Sequence, residues 1–83
     1  MKPGDATANN NLGEAYLALN KYNEALDNFR QAIRLKPDYG RAYFNAGKCL
    51  LAMGNRDGAL EQCNILQNLD PEWAEKLESL INP

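Results

Sequence analysis

Apolar and polar positions alternate along this chain at helical spacing. Leu12, Tyr16 and Leu19 recur at intervals of four and three, which places them on one helix face and predicts a helix over residues 6–19. Asn20-Lys21 stops it, because Asn tolerates the left-handed conformation that ends helices. Ala25, Leu26, Phe29, Ala32, Ile33 and Leu35 form the stripe of a second helix over 23–35, which Pro37 prevents from continuing. Tyr43, Ala46, Leu50 and Met53 mark a third over 39–53, ended by Gly54-Asn55. Leu60, Cys63, Leu66 and Leu69 mark a fourth over 57–69, with Gly58 weakening its start by about 1 kcal/mol relative to Ala. Asp70-Pro71-Glu72 then reads as an N-cap acid, a proline at the first helical position and an acid in the first turn. It opens a fifth helix that reaches Ile81. Trp73, Leu77, Leu80 and Ile81 lie on its apolar side, with Glu72, Glu75, Lys76, Glu78 and Ser79 opposite. One apolar and one charged face is what a helix closing the end of a stack requires.

The pattern repeats. Pro3, Pro37 and Pro71 are spaced at 34 residues. The same offset maps Ala8 onto Ala42, Asn11 onto Asn45, Gly13 onto Gly47 and Ala18 onto Ala52. It also maps Ala25 onto Ala59, Leu26 onto Leu60 and Leu35 onto Leu69. Each unit is a pair of helices joined by a short turn, the antiparallel arrangement. Gly13 with Ala25, and Gly47 with Ala59, are small where paired helices must approach closely. Tyr16, Phe29, Tyr43 and Leu50 supply volume between helices and between units.

These residues resemble the tetratricopeptide repeat family, whose units of 34 residues carry W-x2-L-G-x2-Y followed by a small residue, an aromatic and a proline. The first unit has Leu12-Gly13-x2-Tyr16, then Ala25, Phe29, Ala32 and Pro37, with Asn9 in the tryptophan place. The second has Ala46-Gly47-x2-Leu50, then Ala59, Cys63, Leu66 and Pro71, with Tyr43 in that place. The resemblance implies an all-α fold: a right-handed superhelical stack of two helix-turn-helix units plus a C-terminal capping helix. It divides a single domain over 1–83 into units at about 6–39 and 40–73 and a capping helix at about 71–82.

The resemblance also implies a ligand groove on the concave face lined by first helices. Thr7, Asn10, Glu14 and Leu17 of the first unit, and Arg41, Phe44, Asn45, Lys48 and Leu51 of the second, would face it. Arg41, Asn45 and Lys48 follow i, i+4, i+7 spacing, so they share a helix face and could grip a peptide carboxylate. Phe44 would add an apolar anchor. The alternative is a solvated polar face. The carboxylate clamp of chaperone-binding members draws on three units; here only Asn45 occupies a comparable place, and the first unit offers Asn10 and Glu14 where lysine and asparagine would be wanted. The expected partner is a peptide or protein segment of acidic character. The expected alternative is self-association, or membership of a longer array, because such folds use three or more units and Pro3-Gly4-Asp5 looks like the tail of a preceding one.

Composition narrows the chemistry. The 83 residues are 45% hydrophobic with a formal net charge of −2. From Asp57 onward Lys76 is the single cation among six acids, so nucleic acid and anionic membrane are not expected partners. Tyr16 and Tyr43 then read as core rather than as base-stacking residues, and Glu14, Glu24 and Asp27 as solvated carboxylates. Histidine is absent, which removes the commonest general base and metal ligand. Cys49 and Cys63 lack zinc or C-x-x-C spacing; they read as reduced core residues, with a helix-to-helix disulfide as the alternative. No catalysis, cofactor or metal is expected. No apolar run after Met1 has the length of a secretory leader, and none approaches the roughly 18 residues of a membrane span, which favours the cytoplasm.

Overall fold

The computed structural model describes residues 4–83, so Pro3, the first of the three evenly spaced prolines, lies outside the described residues. The order is α1 (Ala6–Ala18), α2 (Tyr22–Leu35), α3 (Gly40–Ala52), α4 (Arg56–Leu69) and α5 (Pro71–Ile81). Among the described residues there is no strand. The fold is all-α, and each predicted helix is present within a residue or so of its expected ends.

The punctuation works as the residue types require. The Asp5 carboxylate accepts the Thr7 and Ala8 backbone N–H groups and caps α1. Leu19 and Met53, expected as last helical residues, are instead C-caps. Behind them Asn20 (φ 60°) and Gly54 (φ 80°) take left-handed backbone. In the first turn Lys21 N–H donates to Tyr16 C=O and Asn20 N–H to Leu17 C=O. In the second, Asn55 N–H donates to Leu50 C=O and Gly54 N–H to Leu51 C=O. These are the two bonds of a Schellman turn, made twice. The Asn55 side chain caps α4 by accepting the Gly58 N–H at 2.8 Å, which offsets part of the weakness of Gly58. Asp70 differs from expectation: its side chain makes no cap bond to α5. It lies against Gly40 instead, where a Cβ would come within 2.8 Å of Asp70 Oδ2.

α1 packs on α2 and α3 on α4; α2 joins the two pairs, and α5 packs on both α3 and α4. The close approaches fall at glycine. A Cβ on Gly13 would sit 2.5 Å from Phe29 Cε1, so α1 and α2 meet there with no room for a side chain. Gly47 behaves differently. Its near neighbour is Leu77 of α5, with Cδ2 2.6 Å from where a Cβ would stand, and not a residue of its pair-mate α4. The 34-residue offset explains why. It places Cys63 where the first unit has Phe29. The smaller side chain leaves a ring's volume open, and Leu77, fully buried, fills it. The capping helix therefore completes the core of the second unit. Its buried residues are Ala74, Leu77 and Ile81. Leu80, expected on the inward stripe, is 48% exposed.

Candidate functional site

Asn10, Glu14 and Leu17 stand on one face of α1 at spacings of four and three, and Arg41, Phe44, Asn45 and Lys48 on the facing side of α3. The structure places six of these seven in two layers and leaves Arg41 exposed and outside the cleft. Glu14, Leu17, Phe44 and Lys48 line an open cleft of about 780 Å³, joined there by Leu51 of α3 and Leu80 of α5. Asn10 and Asn45, expected on the open face, are instead buried beneath it. α1 and α3 come close enough for the Asn45 Nδ2 to donate to Asn10 Oδ1 at 2.9 Å, and this pairing is what makes burial of the two amides tolerable. Asn10 Nδ2 is buried with no hydrogen-bond partner. Thr7 is exposed and does not line the cleft.

The charges over these amides are organised around Glu14. Its Oε2 accepts from Asn45 Nδ2 at 3.2 Å and from Arg41 Nη2 at 3.1 Å. Glu14–Arg41 is the one ion pair among the described residues, with the two side chains 33% and 50% exposed. Such exposure keeps its contribution to stability under about 1 kcal/mol. Arg41 is thus neutralised from within. Lys48 is not. Its Nζ lies 5.3 Å from the Phe44 ring centroid, and no carboxylate among the described residues is within ion-pair distance. Phe44 in turn packs on Trp73 of α5 with ring centroids 4.8 Å apart and planes tilted by 43°. The Lys76 Nζ covers the Trp73 ring at 4.5 Å.

Leu80 and Trp73 were not among the residues assigned to this face from sequence. The repeat offset does not signal them, since it maps Ala46 onto Leu80 and Tyr39 onto Trp73, neither Ala46 nor Tyr39 a face position. It gives only that Gly40 at the start of α3 maps onto Ala74 in the first turn of α5. That makes α5 a third first-helix in register, and its flank borders the same face. The cysteines take no part. Both are free and buried, Cys49 with its Sγ 3.2 Å from the Tyr22 carbonyl oxygen and Cys63 with its Sγ 3.5 Å from that of Ala74. Burial pushes both thiols above their ordinary pKa, the opposite of what activates a nucleophilic cysteine. Among the described residues no three His, Cys, Asp or Glu converge as metal ligands would, and no helix is long and apolar enough to cross a membrane.

Stacked helix pairs, glycines at the crossing points and a cleft along the first helices define a helical repeat scaffold. Residues 13–54 match the model of the TPR repeat, and residues 41–72 match that of the tetratricopeptide repeat. The chain belongs to the tetratricopeptide repeat family. It is similar to a DnaJ homolog subfamily C member 7 homolog of Dictyostelium discoideum, at 32% identity over 78% of this chain and 12% of that protein. It is similar to the Peroxisomal targeting signal receptor of Candida albicans, at 30% identity over 96% of this chain and 13% of that protein. It is also similar to Anaphase-promoting complex subunit 3 of Dictyostelium discoideum, at 28% identity over 99% of this chain and 8% of that protein. The chain spans a small fraction of the length of each.

Proposed function

We propose that this chain is one tetratricopeptide domain, of two units and a capping helix, that binds a peptide or protein segment in the cleft between α1, α3 and α5 and carries out no catalysis. The observation that supports this reading is the cleft itself. It is open and mostly apolar, built from Leu17, Phe44, Leu51 and Leu80, with an unpaired ammonium at Lys48. An apolar anchor surrounded by a few polar groups is the composition of a recognition surface. The relatives fit the same reading: one is named as a receptor for a targeting signal and another as the subunit of a complex. The favoured segment places an apolar side chain in the cleft and an acid beside Lys48.

Selection from a displayed library of random peptides tests this. Wild type enriches segments with an apolar residue next to an acid, and their affinity falls with added salt because the contact is partly exposed. Lys48→Glu weakens these ligands, and Phe44→Ala weakens them more, since the aromatic is the anchor. Failure to enrich any segment, or equal affinities for wild type and both variants, refutes the cleft as a binding site. A mass in solution greater than that of the monomer would then favour self-association.

A further inference from the structure

We infer that Glu14 is a built-in occupant of an anion subsite, and that it makes the cleft reject segments carrying an acid opposite α1. This deepens the peptide-binding reading and rests on it for its biological meaning. The donors of the subsite are Arg41 and Asn45, two groups that would otherwise grip a partner's carboxylate. Both point at one oxygen, Glu14 Oε2, at 3.1 and 3.2 Å. Their geometry is that of a guanidinium and an amide on a carboxylate, and the carboxylate comes from the chain itself.

A second observation is independent of that ion pair. The amides beneath Glu14 have more donors than acceptors. Asn45 Nδ2 divides its hydrogens between Asn10 Oδ1 and Glu14 Oε2. Asn10 Nδ2, fully buried one helical turn before Glu14 on α1, has no acceptor. A buried donor without a partner is uncommon and marks a place where an acceptor is wanted. Arg41 and Asn45 converge on the place that Glu14 Oε2 fills, above an amide layer with a donor to spare, and an incoming acid meets a position already held by a negative charge. Like-charge opposition of this kind is how an interface excludes a partner. The cation that lines the cleft, Lys48, has no such internal acid. Glu14 thus assigns the two ends of the cleft: neutral or donor groups opposite α1, acids beside Lys48.

Two measurements test this, and the first does not depend on any peptide binding. Acetate and, separately, inorganic phosphate are titrated into isotope-labelled wild type, Glu14→Ala and Glu14→Gln, following the side-chain amide resonances of Asn10 and Asn45. Wild type shows no saturable shift. Glu14→Ala gains saturable anion binding, and adding Arg41→Ala removes it. Glu14→Gln removes the charge, retains an acceptor for Asn45 and controls for loss of the fold. Equal responses of wild type and Glu14→Ala, or no response from either, overturn the subsite. The second measurement compares the peptides that wild type and Glu14→Ala enrich: the variant gains acidic residues at one additional position. If neither protein enriches peptides, the peptide-binding reading has failed, while the amide titration still decides the role of Glu14.

Discussion

Gly47 and Leu77 offer a direct test of the argument that the capping helix completes the second unit's core. Leu77 is fully buried, so Leu77→Ala removes its methyl-bearing carbons and leaves a cavity, at a loss of about 2–5 kcal/mol. For 83 residues the expected total stability is about 4–12 kcal/mol, so this one change removes a large share. Gly47→Ala acts oppositely in two respects. It gains about 1 kcal/mol of helix propensity. It also drives a methyl to within 2.6 Å of Leu77 Cδ2, and such overpacking costs about 1–3 kcal/mol. The clash involves only Leu77, since its three carbons are the nearest atoms to that position. In the Leu77→Ala background the clash disappears and the propensity gain remains. Gly47→Ala should therefore destabilise wild type by up to about 2 kcal/mol and stabilise Leu77→Ala by about 1 kcal/mol, a coupling of roughly 1–3 kcal/mol. Urea unfolding of the four proteins, followed by far-ultraviolet circular dichroism and by Trp73 fluorescence, measures it. The two probes should coincide, and the m-value should stay constant across the set. If Gly47→Ala has the same effect in both backgrounds, α5 does not occupy the place of the missing aromatic and the packing argument is wrong.

Asn45→Ala strips the buried Asn10 amide of its partner and should destabilise the chain by about 1–3 kcal/mol, measurable by the same unfolding curves; a variant as stable as wild type would mean the amide pair is not closed in solution. Ala in place of Asn20 or Gly54 must adopt positive φ and should cost about 1–2 kcal/mol at either position, and thermal melts matching wild type would contradict the turn geometry. Because burial raises the Cys49 and Cys63 pKa values above 9.0, the folded state holds thiol protons that the unfolded state loses first. Their contribution to stability is complete below the unfolded pKa and fades as pH rises through the folded ones. Stability of wild type should consequently fall above about pH 9 more steeply than that of the Cys49→Ala, Cys63→Ala double variant. Parallel pH profiles of the two proteins would show that the thiols are not desolvated.

Local chemistry made much of this fold legible along the chain. Five helices, their stops at Asn20 and Gly54, the break at Pro37 and the proline start of α5 depend on neighbouring residues and on a periodicity that repeats at 34. The family resemblance pointed to the row of first helices, and with it to Glu14, Leu17, Phe44 and Lys48 of the cleft. The tertiary structure decided what depends on distances between helices. The family resemblance places Asn10 and Asn45 on the open face, and only the approach of α1 to α3 turns them inward onto each other, 35 residues apart. The same approach delivers Arg41 to Glu14, while Lys48, the cation lining the cleft, has no acid within ion-pair distance. Periodicity groups Leu80 with Leu77 and Ile81, yet the rotation of α5 against α3 buries the latter two and turns Leu80 into the cleft. That rotation follows from volume. Cys63 leaves the space that Phe29 fills in the first unit, and Leu77 takes it; the local pattern puts Leu77 on an apolar stripe but does not say which gap it fills.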